Sequence, residues 1–352
     1  VSAPSDPSEM TIQQAIERFV RKRKTEATDR TIRGYRSRLE QFNKWTRQQG
    51  IETIGELTAW HIDEYDMSLR DDDAAPTTIK GRMSTLNVFL DYCANIGAVD
   101  EDVSESVDVP NLTKKQEQNQ ERLAEEDALA ALEFFRNSRA YFGQPMHAFL
   151  ELAWHTGARV GTLKGLDLGD YNSEEQYVEF VHRPSTGTPL KNKHEGERLV
   201  GLADPVCEAL DIYIDRERWE KRDNHGREPF FCTRQGRPSF TTLRAYSYQA
   251  TQPCLWTDCP HGRRRDSCEW TERIHCSKCP SSRSPHRIRT GSITWQLNQG
   301  LDIEIVAERV NASPSTIRQH YDQATGEEEF EKRRRAAETA LDISDDTEEE
   351  QE

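Results

Sequence analysis

Between residues 111 and 124 the chain reads NLTKKQEQNQERLA, a polar stretch without apolar periodicity. A run with nothing to bury reads as a linker, so the 352 residues must be understood as two cores rather than one. No apolar run approaches the roughly 18 residues of a membrane helix, which excludes an integral helical membrane protein. The first twenty residues contain no apolar signal core, which predicts a cytoplasmic protein.

Residues 10–110 read as a compact four-helix unit. Thr11 and Gln14 form a capping-box pattern, and Ile12, Ala15, Ile16, Phe19 and Val20 share one helix face. A second helix over 30–49 aligns Ile32, Tyr35, Leu39, Phe42 and Trp45 and stops at Gly50. A third follows Thr58, and a fourth runs from Pro76 through Met83, Leu86, Phe89 and Leu90 to Gly97. The outward faces of the first two are basic: Arg18, Arg21, Lys22, Arg23 and Lys24, then Arg30, Arg33, Arg36 and Arg38. They form either a solvated surface or one that meets DNA phosphate.

After the linker, residues 125–340 predict a mostly helical domain with a small antiparallel sheet, followed by a tail over 341–352. Helical spacing covers 125–139, 145–156, 204–219, 240–250, 286–299, 302–310 and 314–322. Two β-like runs, Tyr177–Val181 and Arg198–Leu202, flank the turn-rich stretch 184–196 and read as a long hairpin. The fold class is therefore mainly α, with α+β character confined to that sheet.

Charge does not settle the partner. There are 47 Lys and Arg against 62 Asp and Glu, a net of −15, which on its face argues against nucleic acid. Seven of those acids lie between Asp342 and Glu352 without a single base, and this tail is expected to be disordered. Arg outnumbers Lys 35 to 12, a balance that fits either a salt-filled cytoplasm or a merely acidic protein. In molar salt the Debye length is about 3 Å, so long-range repulsion from DNA matters little there.

The residues that carry chemistry are scattered. His-Thr-Gly-Ala-Arg-Val (155–160) places Arg159 behind a glycine turn at a helix start, where a guanidinium and backbone N–H groups can address an anion. Lys193 lies at the hairpin tip in LKNKHEGERLV. Ser-Pro-His-Arg-Ile-Arg (284–289) sets His286 and Arg289 one helical turn apart. Tyr321 ends STIRQHY, after the helix start at Ser313-Pro314.

Taken in this order, these residues resemble the tyrosine recombinase (phage integrase) family over roughly residues 10–335. The resemblance implies a SAM-like, DNA-binding helical domain and a catalytic domain that clamp duplex DNA, with 111–124 crossing it. It implies strand cleavage and rejoining through a 3′-phosphotyrosine on Tyr321, with Arg159, Lys193, His286 and Arg289 as the other catalytic residues and no cofactor for catalysis. Lys193 rather than Lys191 matches the hairpin register, five residues before Arg198, and by resemblance protonates the departing 5′ oxygen. The chemistry agrees with this order: two arginine forks can neutralise a pentacoordinate phosphorane without a metal, and a phosphotyrosine conserves bond energy for rejoining. The resemblance further implies a homotetramer on paired sites, from a monomer or weak dimer in solution, with 327–340 as a docking helix or else a charge-paired solvated one. Two positions depart from the family pattern. Ala312 stands where His or Trp is usual, and Thr162 where Glu or Asp is common.

Residues 253–283 form a Cys-rich insertion similar to one in haloarchaeal integrase-like proteins. Its expected role is a structural Zn2+ site built from Cys254, Cys259, Cys268 and Cys279, with Cys276 or His275 as substitutes; free thiols are the alternative. Arg263, Arg264 and Arg265 within it are either DNA contacts or an exposed basic turn. Three rival functions stay open on sequence: a recombinase-fold DNA binder with weak or lost cleavage, a type IB topoisomerase-like enzyme, and a zinc-based nucleic-acid reader.

Overall fold

The computed structural model describes residues 5–113, 121–320 and 334, with side chains as far as Arg318 and again at 334. Residues 114–120 of the linker, Tyr321, the 327–340 segment apart from residue 334, and the 341–352 tail lie outside the described residues. The chain divides into two compact units, Val1–Asn119 and Gln120–Glu352.

The first unit is built from α1 (Ile12–Arg23), α2 (Asp29–Gln48), α3 (Ala59–Asp71) and α4 (Pro76–Asn95), with a short α5 (Glu101–Glu105). Side chains close the helix starts. Thr11 Oγ1 accepts from the Gln14 N–H at 3.2 Å, and Gln14 Oε1 accepts from the Thr11 N–H at 2.9 Å. The apolar stripe of α1 is buried as its spacing predicts, and the Phe19 ring meets Tyr35, Phe89 and Tyr92 at 5.5–5.6 Å. Arg18, Arg21, Lys22, Lys24, Arg30, Arg33, Arg36 and Arg38 are left exposed. The five-residue α5 escapes sequence reading because one turn carries no period.

The second unit wraps around α7 (Pro145–Thr156), a helix buried on nearly every face, with Phe149, Leu150, Leu152 and Trp154 all at 2% exposure or less. Packed on it are α6 (Glu125–Asn137), α9 (Asp204–Ile212), α10 (Phe240–Ala250) and α11 (Pro285–Asn298). The short α8 (Val160–Gly165) follows α7 directly, and α12 (Ile303–Val310) and α13 (Pro314–His320) follow α11. A three-stranded antiparallel sheet runs in the order β1 (Tyr171–Asn172), β2 (Tyr177–Phe180), β3 (Arg198–Gly201). Val178 opposes Val200 on the buried face, and Phe180 opposes Arg198. A separate small core of Ile293, Leu297, Val306, Ala307, Val310 and Ile317 anchors α12 and α13 to α11. That core fixes the position of α13.

Candidate active site

Arg159 is held where α7 gives way to α8. The α7 helix ends on Gly157 in the left-handed region (φ +58°), where a Cβ would press on Val310 Cγ1 at 2.9 Å, so only glycine lets α12 approach this closely. Two residues on, Arg159 caps α8 with extended backbone and sends Nη1 to the carbonyl of Asn311 at 2.6 Å. His286 and Arg289 share the first turns of α11, as their spacing predicts. His286 is exposed, whereas Arg289 is only 2% exposed. Arg289 Nη1 donates to the carbonyls of Gly157 (2.5 Å) and Val310 (2.8 Å).

Residues far apart in sequence therefore converge on one short turn, 309–311, at the end of α12. Two arginines that sequence reasoning did not assign to the site belong to the same cluster. Arg198, on β3, lies over the Phe180 ring at 4.5 Å and donates from Nε to the Arg309 carbonyl at 2.6 Å and from Nη1 to Gly196 at 2.9 Å. Arg309 donates to Gln296 Oε1 and to the His155 carbonyl, both at 3.2 Å. Among the described residues Arg198 and Arg309 bond only to carbonyls and one amide, with no carboxylate beside them. Burial, then the charges of Arg289, Arg159 and Arg309, pushes the Arg198 guanidinium down to about 9. Guanidiniums gathered this closely suit an oxyanion, which can accept several charge-assisted hydrogen bonds at once. The signal in sequence was faint: Arg198 and Arg309 interrupt the apolar faces of β3 and α12, as a charge facing solvent also does.

Lys193 occupies the hairpin, where it opens a one-turn helix over Lys193–Gly196 in a left-handed conformation (φ +53°). Its side chain is exposed and makes no hydrogen bond or ion pair among the described residues. Thr162 is buried at 8% exposure, so a short hydroxyl fills that space on α8. Ala312 packs beside the α11–α12–α13 core. Tyr321 comes immediately after His320, the last residue of α13, and lies outside the described residues.

A separate ionic network fixes the base of the hairpin. Asp167 binds Arg227 at 2.7 Å and also Arg237, while Asp170 takes Arg183 at 2.6 and 2.8 Å. Arg237 reaches Asp223 at 2.7 Å, and Arg227 bonds Thr186 and Thr188 at 2.6 and 2.7 Å. Three elements that share no sequence neighbourhood are locked together through these groups.

The Cys-rich segment 253–283 folds largely as a series of short turns. Arg263 stacks on Trp270 at 3.7 Å, and Arg265 turns inward to Gln252 Oε1 (3.1 Å) and Cys254 Sγ (3.0 Å). Arg265 is thus committed within this segment, and of the three arginines only Arg263 and Arg264 are exposed. Cys276 is buried and donates to the Arg273 carbonyl at 3.1 Å; burial pushes its thiol up, as it does that of Cys279. Among the described residues no three His, Cys, Asp or Glu side chains stand close enough to share a metal ion. Cys279 nonetheless lies within electrostatic range of Cys254 and Cys259. Cys254 is engaged by a guanidinium, and the alternative ligand Cys276 by a carbonyl. No described helix is long and apolar enough to cross a membrane.

Comparison with known proteins bears on this geometry. A model described as "Phage integrase family" matches residues 121–328, and one described as "Phage integrase, N-terminal SAM-like domain" matches residues 16–95. The tyrosine recombinase XerD of Pseudomonas aeruginosa is 27% identical over 296 residues, which span 83% of this chain and 86% of that protein. Among solved structures, the Tn1549 transposon integrase in complex with a circular intermediate DNA aligns with a TM-score of 0.63 at 16% identity, over 93% of this chain and 99% of that one. A lambda integrase dimer bound to a COC′ core site aligns with a TM-score of 0.61 at 14% identity, over 91% and 80%. These structures share the fold.

Proposed function

The chain belongs to the phage integrase family, and on that premise we propose that it is a site-specific DNA recombinase, a strand transferase working through a 3′-phosphotyrosine. The observation that carries this reading is the convergence of Arg159 and Arg289 on the turn at 310–311, the segment that leads through α13 to Tyr321.

In this reading the scissile phosphate enters the arginine cluster, and Arg159 and Arg289 turn guanidinium N–H groups onto its non-bridging oxygens. Their positive charge is worth most in the pentacoordinate transition state, where negative charge is greatest. The Tyr321 oxygen attacks phosphorus and the bond from phosphorus to the 5′ oxygen breaks. The phenolic proton passes to a base, a role we assign to His286, exposed at the start of α11. Lys193 gives a proton to the departing 5′ oxygen. One phosphoester replaces another, so the reverse step rejoins strands without an external energy source.

Duplex DNA is the proposed partner. The exposed basic residues of α1 and α2 supply phosphate contacts, and the Tn1549 and lambda integrase structures were determined on DNA. Exchange between two duplexes requires several copies acting together, so we extend the proposal to a homotetramer on paired sites.

The test is strand exchange between two differently labelled duplexes that carry the same site, run beside relaxation of a supercoiled plasmid. Recombinant products are expected, with Arg159→Ala lowering their rate by about 100-fold or more. Relaxation without any joined product would favour a topoisomerase-like enzyme instead.

A further inference from the structure

We propose that Asn311 is a positioning residue that holds the Lys193 hairpin against the phosphate site. Its side chain and backbone face two different parts of that site. On one side Asn311 Oδ1 accepts from Asn192 Nδ2 at 2.7 Å, a bond between residues 119 positions apart. On the other, its carbonyl accepts from Arg159 Nη1 at 2.6 Å. The residue caps α12 in the left-handed conformation (φ +53°, ψ +64°), which asparagine tolerates better than other side chains with a Cβ. That conformation points carbonyl and amide to separate neighbours at once.

A second feature shows that the hairpin is built to meet this side chain. Gly196 is buried, and a Cβ there would collide with Asn311 Nδ2, so the hairpin backbone comes down directly onto the amide. Arg198 adds a parallel tie, joining the Gly196 carbonyl to the Arg309 carbonyl across the same gap. Lys193 itself has no described hydrogen bond or ion pair, so the place its ammonium can reach depends on where the neighbouring Asn192 is pinned. A displacement of about 1 Å in a proton donor can cost on the order of 100-fold in rate.

The inference rests on the reading that Lys193 protonates the leaving 5′ oxygen, and a change of leaving group separates the two. A DNA substrate with sulfur in place of the bridging 5′ oxygen departs as a thiolate, which needs no proton donor because a thiol ionises near 8.5. Single-turnover cleavage by the full chain would be measured on oxygen and sulfur substrates for wild type, Lys193→Ala, Asn311→Gly and Asn192→Ala. Asn311→Gly keeps the left-handed turn and the carbonyl to Arg159 while deleting the amide.

Asn311→Gly and Asn192→Ala are expected to cleave the oxygen substrate about 10- to 100-fold more slowly and to return close to wild type on sulfur, as Lys193→Ala does. Equal loss on both substrates, or no loss on either, overturns the role of Asn311. If Lys193→Ala is not restored by sulfur, the assignment of the proton donor fails and this inference fails with it. Should Asn311→Gly melt well below wild type, the exposed Asn192→Ala carries the test.

Discussion

Arg198 is pressed against Phe180 with three other guanidiniums in electrostatic range, and the only described partners of its own donors are two backbone carbonyls. Among the described residues no carboxylate bonds it, the counter-ion that usually accompanies a buried charge. An entering phosphate would supply it, so the cost of holding the cluster together turns into affinity when the anion arrives. The expectation is that inorganic phosphate raises the melting temperature more than chloride at equal ionic strength. Arg198→Met should lose most of that difference. Equal shifts with both anions in wild type would mean the cluster does not bind phosphate. His286 and Arg289 were legible as a pair because their spacing is one helical turn, whereas Asn311 was invisible. A polar residue after the last apolar position of a helix is an ordinary cap, and its bond to Asn192 exists only in three dimensions.

The elements around the site are short, and their own hydrogen bonds cannot hold them. The eight-residue α12 and seven-residue α13 are placed by six apolar side chains shared with α11. The hairpin base is placed instead by Asp167, Asp170 and Asp223 with Arg183, Arg227 and Arg237. Asp167 and Asp223 retain 15% and 7% side-chain exposure. Deleting one member leaves its partners charged and largely desolvated. Asp167→Ala should therefore cost about 3–5 kcal/mol in urea denaturation, against at most about 0.5 kcal/mol for Glu228→Ala, which breaks the exposed Arg222–Glu228 pair. A cost under about 1 kcal/mol at Asp167 would show that the network is solvated and does not brace the hairpin. The same scale explains which elements could be read from sequence. Helices with three or more turns and an apolar stripe, such as α1 and α2, were plain. The two-residue β1 and the single turn of α5 carry no period to detect, and the ion pairs join residues up to 70 positions apart.

At the scale of the whole molecule, a chain with a net charge of −15 is proposed to act on a polyanion. The contradiction eases once charge is considered locally: basic side chains are exposed on α1 and α2, and arginines gather around the turn at 309–311. Seven acids are confined to the last eleven residues. The two-part division was readable from the polar run at 111–124, and the mainly helical class from the apolar periods on either side. Order along the chain, from Arg159 through Lys193, His286 and Arg289 to Tyr321, could suggest chemistry, but sequence alone could not show that Arg198 and Arg309 join the first and fourth of these. The central claim concerns the last. A nicked duplex from the element that encodes this chain would be incubated in molar KCl with wild type and with Tyr321→Phe, then resolved on a denaturing gel. A covalent protein–DNA band in wild type alone is the expected result. DNA binding by both proteins with no covalent band in either, or a band that survives in Tyr321→Phe, would contradict the account.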